Sequence, residues 1–242
     1  MKKNHKILFV VPAYNEEKNI ENVVKEIKKD FSEAEVLIIN DASRDNTLAV
    51  LKKINVKFLD MPFNVGYAMA VQAGFKYAFE HQYDYVIQFD GDGQHIASEA
   101  KRLIDKAINS NCDIVIGSRF LNKINYNHSF FRKIGTELFI FLIKIITNKS
   151  MTDPTSGFQC LNKKVIDRYS KIGNYPEFPD ANLIIQMLLL GYKIEEVPVQ
   201  MRQREFGESM HGGIIKPIKY MIKTFYTILM IVMTNIRFRG VS

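Results

Sequence analysis

An α/β fold with a mostly parallel sheet is what the first 120 residues predict, and three observations carry that expectation. Short apolar runs alternate with longer helical stretches, the pattern of strand–helix–strand units with right-handed crossovers. Ile20, Val23, Val24 and Ile27 fall on one face of the stretch Glu16–Asp30, as an amphipathic helix requires. Each apolar run gives way to a polar loop, and in such sheets ligands bind where strands end. Taken in order, Ile7–Val11 is an unbroken apolar run and the first strand, followed by the helix Glu16–Asp30. Val36–Ile39 is a second apolar run, Asp45–Ile54 a helix, and Val56–Leu59 a third strand. The alanine-rich stretch Val65–Phe79 is a helix, Tyr85–Phe89 a fourth strand, Ser98–Asn109 a helix and Ile114–Ile116 a fifth strand.

The chain has 242 residues, 47% hydrophobic and 24% charged, which suits one globular domain with or without an appendage and excludes bulk disorder. Its net charge of +7 is unevenly spread. Residues 1–120 carry 16 basic and 17 acidic side chains, residues 121–242 carry 17 and 9. The excess therefore sits in the second half, either as a solvated face or as a surface that meets phosphate. Cys112 and Cys160 have neither disulfide-framework nor zinc spacing, so a reducing compartment is expected. The basic start and the apolar stretch Ile7–Ala13 mimic a signal peptide, but Glu16 and Glu17 follow at once and a buried strand is the better reading. No apolar run reaches the roughly 18–20 residues that span a bilayer.

Five segments follow the strands: PAYNEE (12–17), NDASRDNT (40–47), PFNVG (62–66), DGDGQH (90–95) and GSRF (117–120). The glycine signatures of P-loop and dinucleotide folds are absent. In the fourth segment, Asp90 and Asp92 stand two apart on a glycine-flexed turn and can meet one hard cation. Oxygen ligands suit magnesium or manganese rather than zinc. A turn that merely ends a strand would use the same Asp-Gly pairs. The polar loops sharing its rim favour the metal.

The segments VPAYNEE, NDASRDNT, NVGYAMAVQAG, DGDGQH and GSRF, in this order and spacing, resemble glycosyltransferase family 2. More narrowly they resemble its polyprenyl-phosphate branch, the dolichol-phosphate mannose synthase-like enzymes, over roughly residues 5–210. The resemblance implies a GT-A fold (Rossmann-like, mostly parallel), a nucleotide-sugar donor, a divalent cation (Mg2+ or Mn2+) and inversion at the anomeric carbon. It implies that Pro12, Tyr14, Glu16 and Gly66 hold the nucleotide-sugar and that Asp41 bonds the base. It makes Asp90 the acid on the ribose or diphosphate side of a metal set of Asp90, Asp92 and Gln94, while His95 either joins that set or orients the loop. Isoleucine and alanine follow Gln-His here, where the family often has proline.

In the basic half, the resemblance makes Arg119, Arg132, Thr136 and Ser156 holders of an acceptor phosphate. Arg132 and Thr136 sit four apart on one face of a helix expected over 130–147. That helix is apolar almost all round and is either a core helix or one lying in a membrane interface. Asp180, in PEFPDANL, matches an acceptor-side acid; Arg204, with Arg202 as helper, matches the loop that closes over the donor diphosphate. Asp92, Arg119, Arg132, Arg204 and Asp180 are thus the expected catalytic set. The tail 211–242 has five basic residues and no acid around the apolar stretch Thr224–Ile236, which suits an anionic membrane surface. Residues 1–210 are expected to form the transferase domain, split at 120 into a nucleotide-sugar and metal half and an acceptor half. The tail 211–242 is expected to be a peripheral anchor of amphipathic helix. The expected reaction moves a hexose from a UDP- or GDP-sugar to undecaprenyl or dolichyl (polyprenyl) phosphate at the cytoplasmic membrane face. A homo-oligomer is compatible with the sequence. A sugar-hydroxyl acceptor, with Asp180 or Asp153 as base, is the alternative. A nucleic-acid-binding module is the remote one: it would bind with steep salt dependence, but tryptophan is absent and the cations flank apolar stretches.

Overall fold

The computed structural model describes residues 5–121, 130–203 and 215–239. In chain order the elements are β1 (Ile7–Ala13), α1 (Ile20–Asp30), β2 (Glu35–Asn40), α2 (Thr47–Lys53), β3 (Lys57–Asp60), α3 (Tyr67–Glu80) and β4 (Tyr85–Gln88). A 3₁₀ turn (Ala97–Glu99) leads into α4 (Ala100–Asn109), then β5 (Ile114–Ser118), α5 (Phe130–Thr147), β6 (Gln159–Asn162), α6 (Lys163–Ser170), α7 (Ala181–Leu189), β7 (Ile194–Pro198) and α8 (Ile215–Arg239).

The strands form one seven-stranded sheet in the order β3-β2-β1-β4-β6-β5-β7. Strands β1 to β5 and β7 run parallel, and β6 is antiparallel to both β4 and β5. The chain winds outward from β1 through β2 to β3, then returns to β4 on the other side of β1. The strand order therefore reverses between β1 and β4, and the crevice at their carboxyl ends is where such sheets take ligands.

Successive side chains point to opposite faces of a strand. Leu8 and Val10 join Leu37, Ile39 and Val86 on one face, under α3, α5, α6, α7 and α8. Phe9 and Val11 join Ile38 and Ile87 on the other, under α1, α2 and α4. Burying each such side chain contributes roughly 1.5–3 kcal/mol, so the alternation along β1 and β2 sets their register. Gly74 lets α3 lie directly on β1, because a Cβ there would stand 2.2 Å from Cγ1 of Val10.

Helix α1 begins at Ile20, not at Glu16. Residues 16–19 form a turn entered through Asn15 at φ 58, in which the Glu16 carbonyl accepts from the Asn19 and Ile20 N–H groups. The antiparallel strand β6 was not expected, since four residues with one leucine and one cysteine carry little periodic signal. The apolar helix is part core and part surface. Phe139 and Ile143 of α5 are buried, while Phe141 (57%) and Ile145 (65%) are exposed. Helix α8 packs on α7 through Thr224 and Ile228 but exposes Ile222, Phe225, Tyr226, Leu229 and Met233. Among the described residues, no helix is long and apolar enough to cross a membrane.

Candidate active site

The loops after β1, β2 and β3 are bonded to one another around Asp41. Its N–H donates to the Ala13 carbonyl at 2.9 Å. Its Oδ1 accepts the Val65 N–H at 2.7 Å and its Oδ2 the Gly66 N–H at 2.9 Å. Gly66 has φ +85, a conformation open to glycine at little cost. Ala42 follows Asp41 at φ 53, which costs a non-glycine residue roughly 1–2 kcal/mol. The tied loops hold it there. Both oxygens of Asp41 are engaged, so the expected bond to a base would fall to remaining lone pairs, of which a carboxylate has about four in all. Glu16 is buried, its carboxylate accepting from Asn19 Nδ2 at 2.6 Å, and Tyr14 is exposed on the rim. Pro12 is buried, and its carbonyl lies 2.8 Å from where a Cβ on residue 91 would stand. Gly91 therefore allows the acidic loop to press against β1, across the crevice.

Within that loop Asp90 is held from several sides. The Tyr67 hydroxyl donates to its Oδ1 at 2.8 Å and accepts in turn from Gln88 Nε2 at 2.8 Å. A side chain at Gly157 would stand 2.9 Å from that hydroxyl. The Asp90 N–H donates to Nδ1 of His95 at 3.0 Å, and the His95 ring stacks on Phe158 with centroids 4.6 Å apart. Burial lowers the His95 pKa to about 4, with Asp92 opposing and Arg119 adding to the shift. The ring is therefore neutral, and with Nδ1 accepting, Nε2 carries the proton, 3.6 Å from Asp90 Oδ2. Of the two readings of His95, the geometry matches the loop-orienting one.

Asp92 accepts the Gln94 N–H on Oδ1 at 3.0 Å. The Gln94 carbonyl accepts the Arg202 N–H at 2.8 Å, which joins the acidic loop to the segment after β7. The Arg202 guanidinium makes two bonds to Glu26 of α1, at 2.8 and 3.0 Å. Asp92, Gly93, Arg202, Lys18, Asn19 and Glu26 line a cavity of about 220 Å³. Asp92 lines it and Gln94 stands two residues on in the same loop; a carboxylate and an amide oxygen are a donor set that fits Mg2+ or Mn2+. Among the described residues no three His, Cys, Asp or Glu side chains cluster to hold a metal.

At the carboxyl end of β5, Arg119 is built into the protein. Its Nε and Nη2 donate to the two oxygens of Asp153 at 2.7 and 2.8 Å, and its backbone N–H adds a bond at 3.0 Å. Asp153 is fully buried, and the Glu196 carboxylate accepts its N–H and that of Thr152. Burial raises the Glu196 pKa. Asp153 therefore does not fit the role of base, and of the two acids considered for it only Asp180 remains. Ser156 differs from expectation too: its hydroxyl is buried and donates to the Gly117 carbonyl at 2.6 Å, so it staples the β5 loop instead of facing an acceptor. Thr136 is part-buried on α5. The side chain of Arg132 and all of Arg204 lie outside the described residues.

Asp180 stands at the N-terminus of α7 without capping it. Its Oδ2 accepts instead from the Tyr220 hydroxyl of α8 at 2.5 Å. Burial pushes its pKa up to about 6, against the Tyr220 bond and the charge of Arg119, and with the charge of Asp153. Sequence reasoning missed Tyr67, Gln88, Glu196 and Tyr220. Gln88 had a signal, being a polar side chain inside an otherwise apolar strand run; Glu196, in a strand with Glu195 beside it, and the two tyrosines had none.

A parallel sheet that reverses order between its first and fourth strands, with an Asp-Gly-Asp loop at that crevice, defines a GT-A glycosyltransferase fold. A solved structure of that fold superimposes on the chain: a mannosyltransferase from Pyrobaculum calidifontis in complex with GDP-Man and Mn2+, with TM-score 0.68, 14% identity, and coverage of 94% of this chain and 65% of that one. The chain belongs to glycosyl transferase family 2, matched over residues 8–170, and is a glycosyltransferase. It is 29% identical to a UDP-N-acetylglucosamine–dolichyl-phosphate N-acetylglucosaminyltransferase of Methanococcus voltae, over 95% of this chain and 97% of that one. It is 28% identical to an undecaprenyl-phosphate mannosyltransferase of Micrococcus luteus, over 87% and 89% respectively.

Proposed function

We propose that the chain transfers a hexose, with inversion, from a UDP- or GDP-sugar to polyprenyl phosphate at the cytoplasmic face of the membrane. The observation that carries this reading is the seating of α8, apolar on its outer face, against the acceptor-side acid: Tyr220 bonds Asp180, which lies in the field of Arg119. A lipid-borne acceptor would reach such a site along the membrane surface. The similarity to the two lipid-phosphate transferases and to the fold that binds GDP-Man and Mn2+ supports it.

In the reaction, a phosphate oxygen attacks the anomeric carbon as the bond from that carbon to the diphosphate breaks. A divalent cation held by Asp92 and Gln94 would neutralise the charge on the departing diphosphate. Asp90, set by Tyr67 and His95, faces the donor, with Arg202 beside the same cavity. A phosphate monoester has a second pKa near 6 and is already a nucleophile at neutral pH, so no strong base is required. Asp180, ionised at neutral pH, accepts the proton that a monoprotonated phosphate still carries. A sugar-hydroxyl acceptor is the second reading, favoured by that same raised carboxyl; it requires Asp180 absolutely.

The test is a screen of UDP- and GDP-sugars with Mn2+ or Mg2+ against a short polyprenyl phosphate and, in parallel, an oligosaccharide acceptor, with products identified by mass. A polyprenyl-phosphate hexose is expected; transfer only to glycan hydroxyls overturns the reading. Arg132→Ala should raise KM for the lipid phosphate by about 10–100-fold, the loss of a hydrogen bond to a charged group, with the donor KM little changed. Equal changes in both would remove Arg132 from the acceptor site. Phe225→Ser with Met233→Ser should cut flotation on anionic vesicles by tenfold or more, since each buried side chain contributes roughly 1.5–3 kcal/mol. Unchanged flotation would remove α8 from the membrane contact.

A further inference from the structure

Asp180 occupies an N-cap position, its carbonyl accepting the Leu183 and Ile184 N–H groups, yet its side chain makes no cap. Its own N–H donates to Asn182 Oδ1 at 3.0 Å, and its carboxylate makes no bond to the first turn of α7. An aspartate that caps contributes about 1 kcal/mol, so something else holds this one in place. That partner is Tyr220, whose ring is fixed edge-on by Phe139 of α5 at 6.2 Å and by Phe178 at 5.4 Å. Lys223, one turn on, pairs with Glu177 at 3.1 Å and lies 5.1 Å above the Phe178 ring. The segment leading into Asp180 is thus clasped by one face of α8, while the opposite face carries Ile222, Phe225, Tyr226 and Met233 into solvent. Asp180 itself is only part-buried.

We propose that Tyr220 is a positioning residue, which from the helix facing the membrane holds Asp180 off its own helix terminus and open to the acceptor. The inference rests on the acceptor role assigned to Asp180 above. Among the described residues, the titratable and charged groups that act on Asp180 are Tyr220 from α8, Arg119 after β5, Asp153 and, through its own titration, Tyr175. Of these only the Tyr220 bond is removed by Tyr220→Phe, which keeps the ring and its packing.

The test compares kcat/KM for the acceptor across pH in the full chain and in Tyr220→Phe. Losing a bond that favours the ionised carboxylate raises its pKa, so the acid limb should move up by about one pH unit. The variant should be up to about tenfold slower below about pH 6 and should converge with the wild type above about pH 8.5. The lipid phosphate titrates in the same range in both proteins, so the difference between the profiles reports Asp180. On an Asp180→Asn background, Tyr220→Phe should change nothing further. A loss equal at every pH, or one that persists on that background, would show a packing role and overturn the proposal. Asp180→Asn with no residual transfer would instead overturn the phosphate-acceptor reading, and the pair of pH profiles would still decide the role of Tyr220.

Discussion

Asp92→Asn is expected to lower metal-dependent transfer by about three orders of magnitude, the scale of several kcal/mol of charge stabilisation, while leaving the fold intact. The expectation follows from the bonds that shape the loop and from the charge that Asp92 carries. Oδ1 accepts the Gln94 N–H at 3.0 Å, a bond that an asparagine carbonyl can keep. The loop is further pinned by the bond from Arg202 N–H to the Gln94 carbonyl and by His95 on Phe158. These bonds hold the loop without drawing on the charge at 92. What disappears is the negative charge beside the cavity that Asp92 shares with Arg202 and Lys18. The thermal midpoint should move little, and Mn2+ titrated with nucleoside diphosphate and followed by electron paramagnetic resonance should bind far more weakly. Full activity in the variant, or in wild type with excess chelator, would sink the metal assignment. Asp90→Asn should behave differently. Its Oδ1 already takes the Tyr67 hydroxyl and its Oδ2 faces the His95 Nε2 proton, so an asparagine NH2 would face a donor where the carboxylate offers an acceptor.

The contrast between Asp92 and Asp90 also marks how far the sequence could be read. The rim loops were legible because a parallel sheet puts every strand's carboxyl end on one side, and the residues after β1, β2, β4 and β5 needed only the alternation of elements to be located. Asp41, Asp90, Asp92 and Arg119 all lie there, and Pro12 lies at the end of β1. Their partners were not legible, because those come from far along the chain. Arg119 meets Asp153, Asp153 is held by Glu196, and Asp180 meets Tyr220 across 40 residues. No local period announces such bonds. For the same reason Asp153 and Ser156 read as acceptor-facing groups, when the fold turns both inward beneath β5. The short antiparallel β6 escaped because its pairing with β4 and β5, not its own sequence, makes it a strand. Helices α5 and α8 read as ambiguous because each has one apolar face in the core and another in solvent.

Arg119→Ala is the second large effect, and it combines two consequences that a further variant can separate. Removing the guanidinium leaves the fully buried Asp153 carboxylate without its two side-chain bonds. Breaking one side of a buried ion pair costs about 3–5 kcal/mol, because the remaining charge stays desolvated. Transfer should also fall, but part of that loss would be instability. The pair Arg119→Met with Asp153→Asn removes both charges together. Asparagine still offers an oxygen to the residue 119 N–H, and Thr155 Oγ1, now near both partners, can accept from its amide. Replacing a buried pair by uncharged groups of similar volume is often neutral or stabilising. Most of the lost stability should therefore return in denaturant melts, to within about 1–2 kcal/mol of wild type. If transfer to polyprenyl phosphate stays low in this refolded background, the charge of Arg119 acts on the phosphates as well as on Asp153. If activity returns with stability, Arg119 is a structural brace, and the acceptor phosphate must find its cations elsewhere in the basic half.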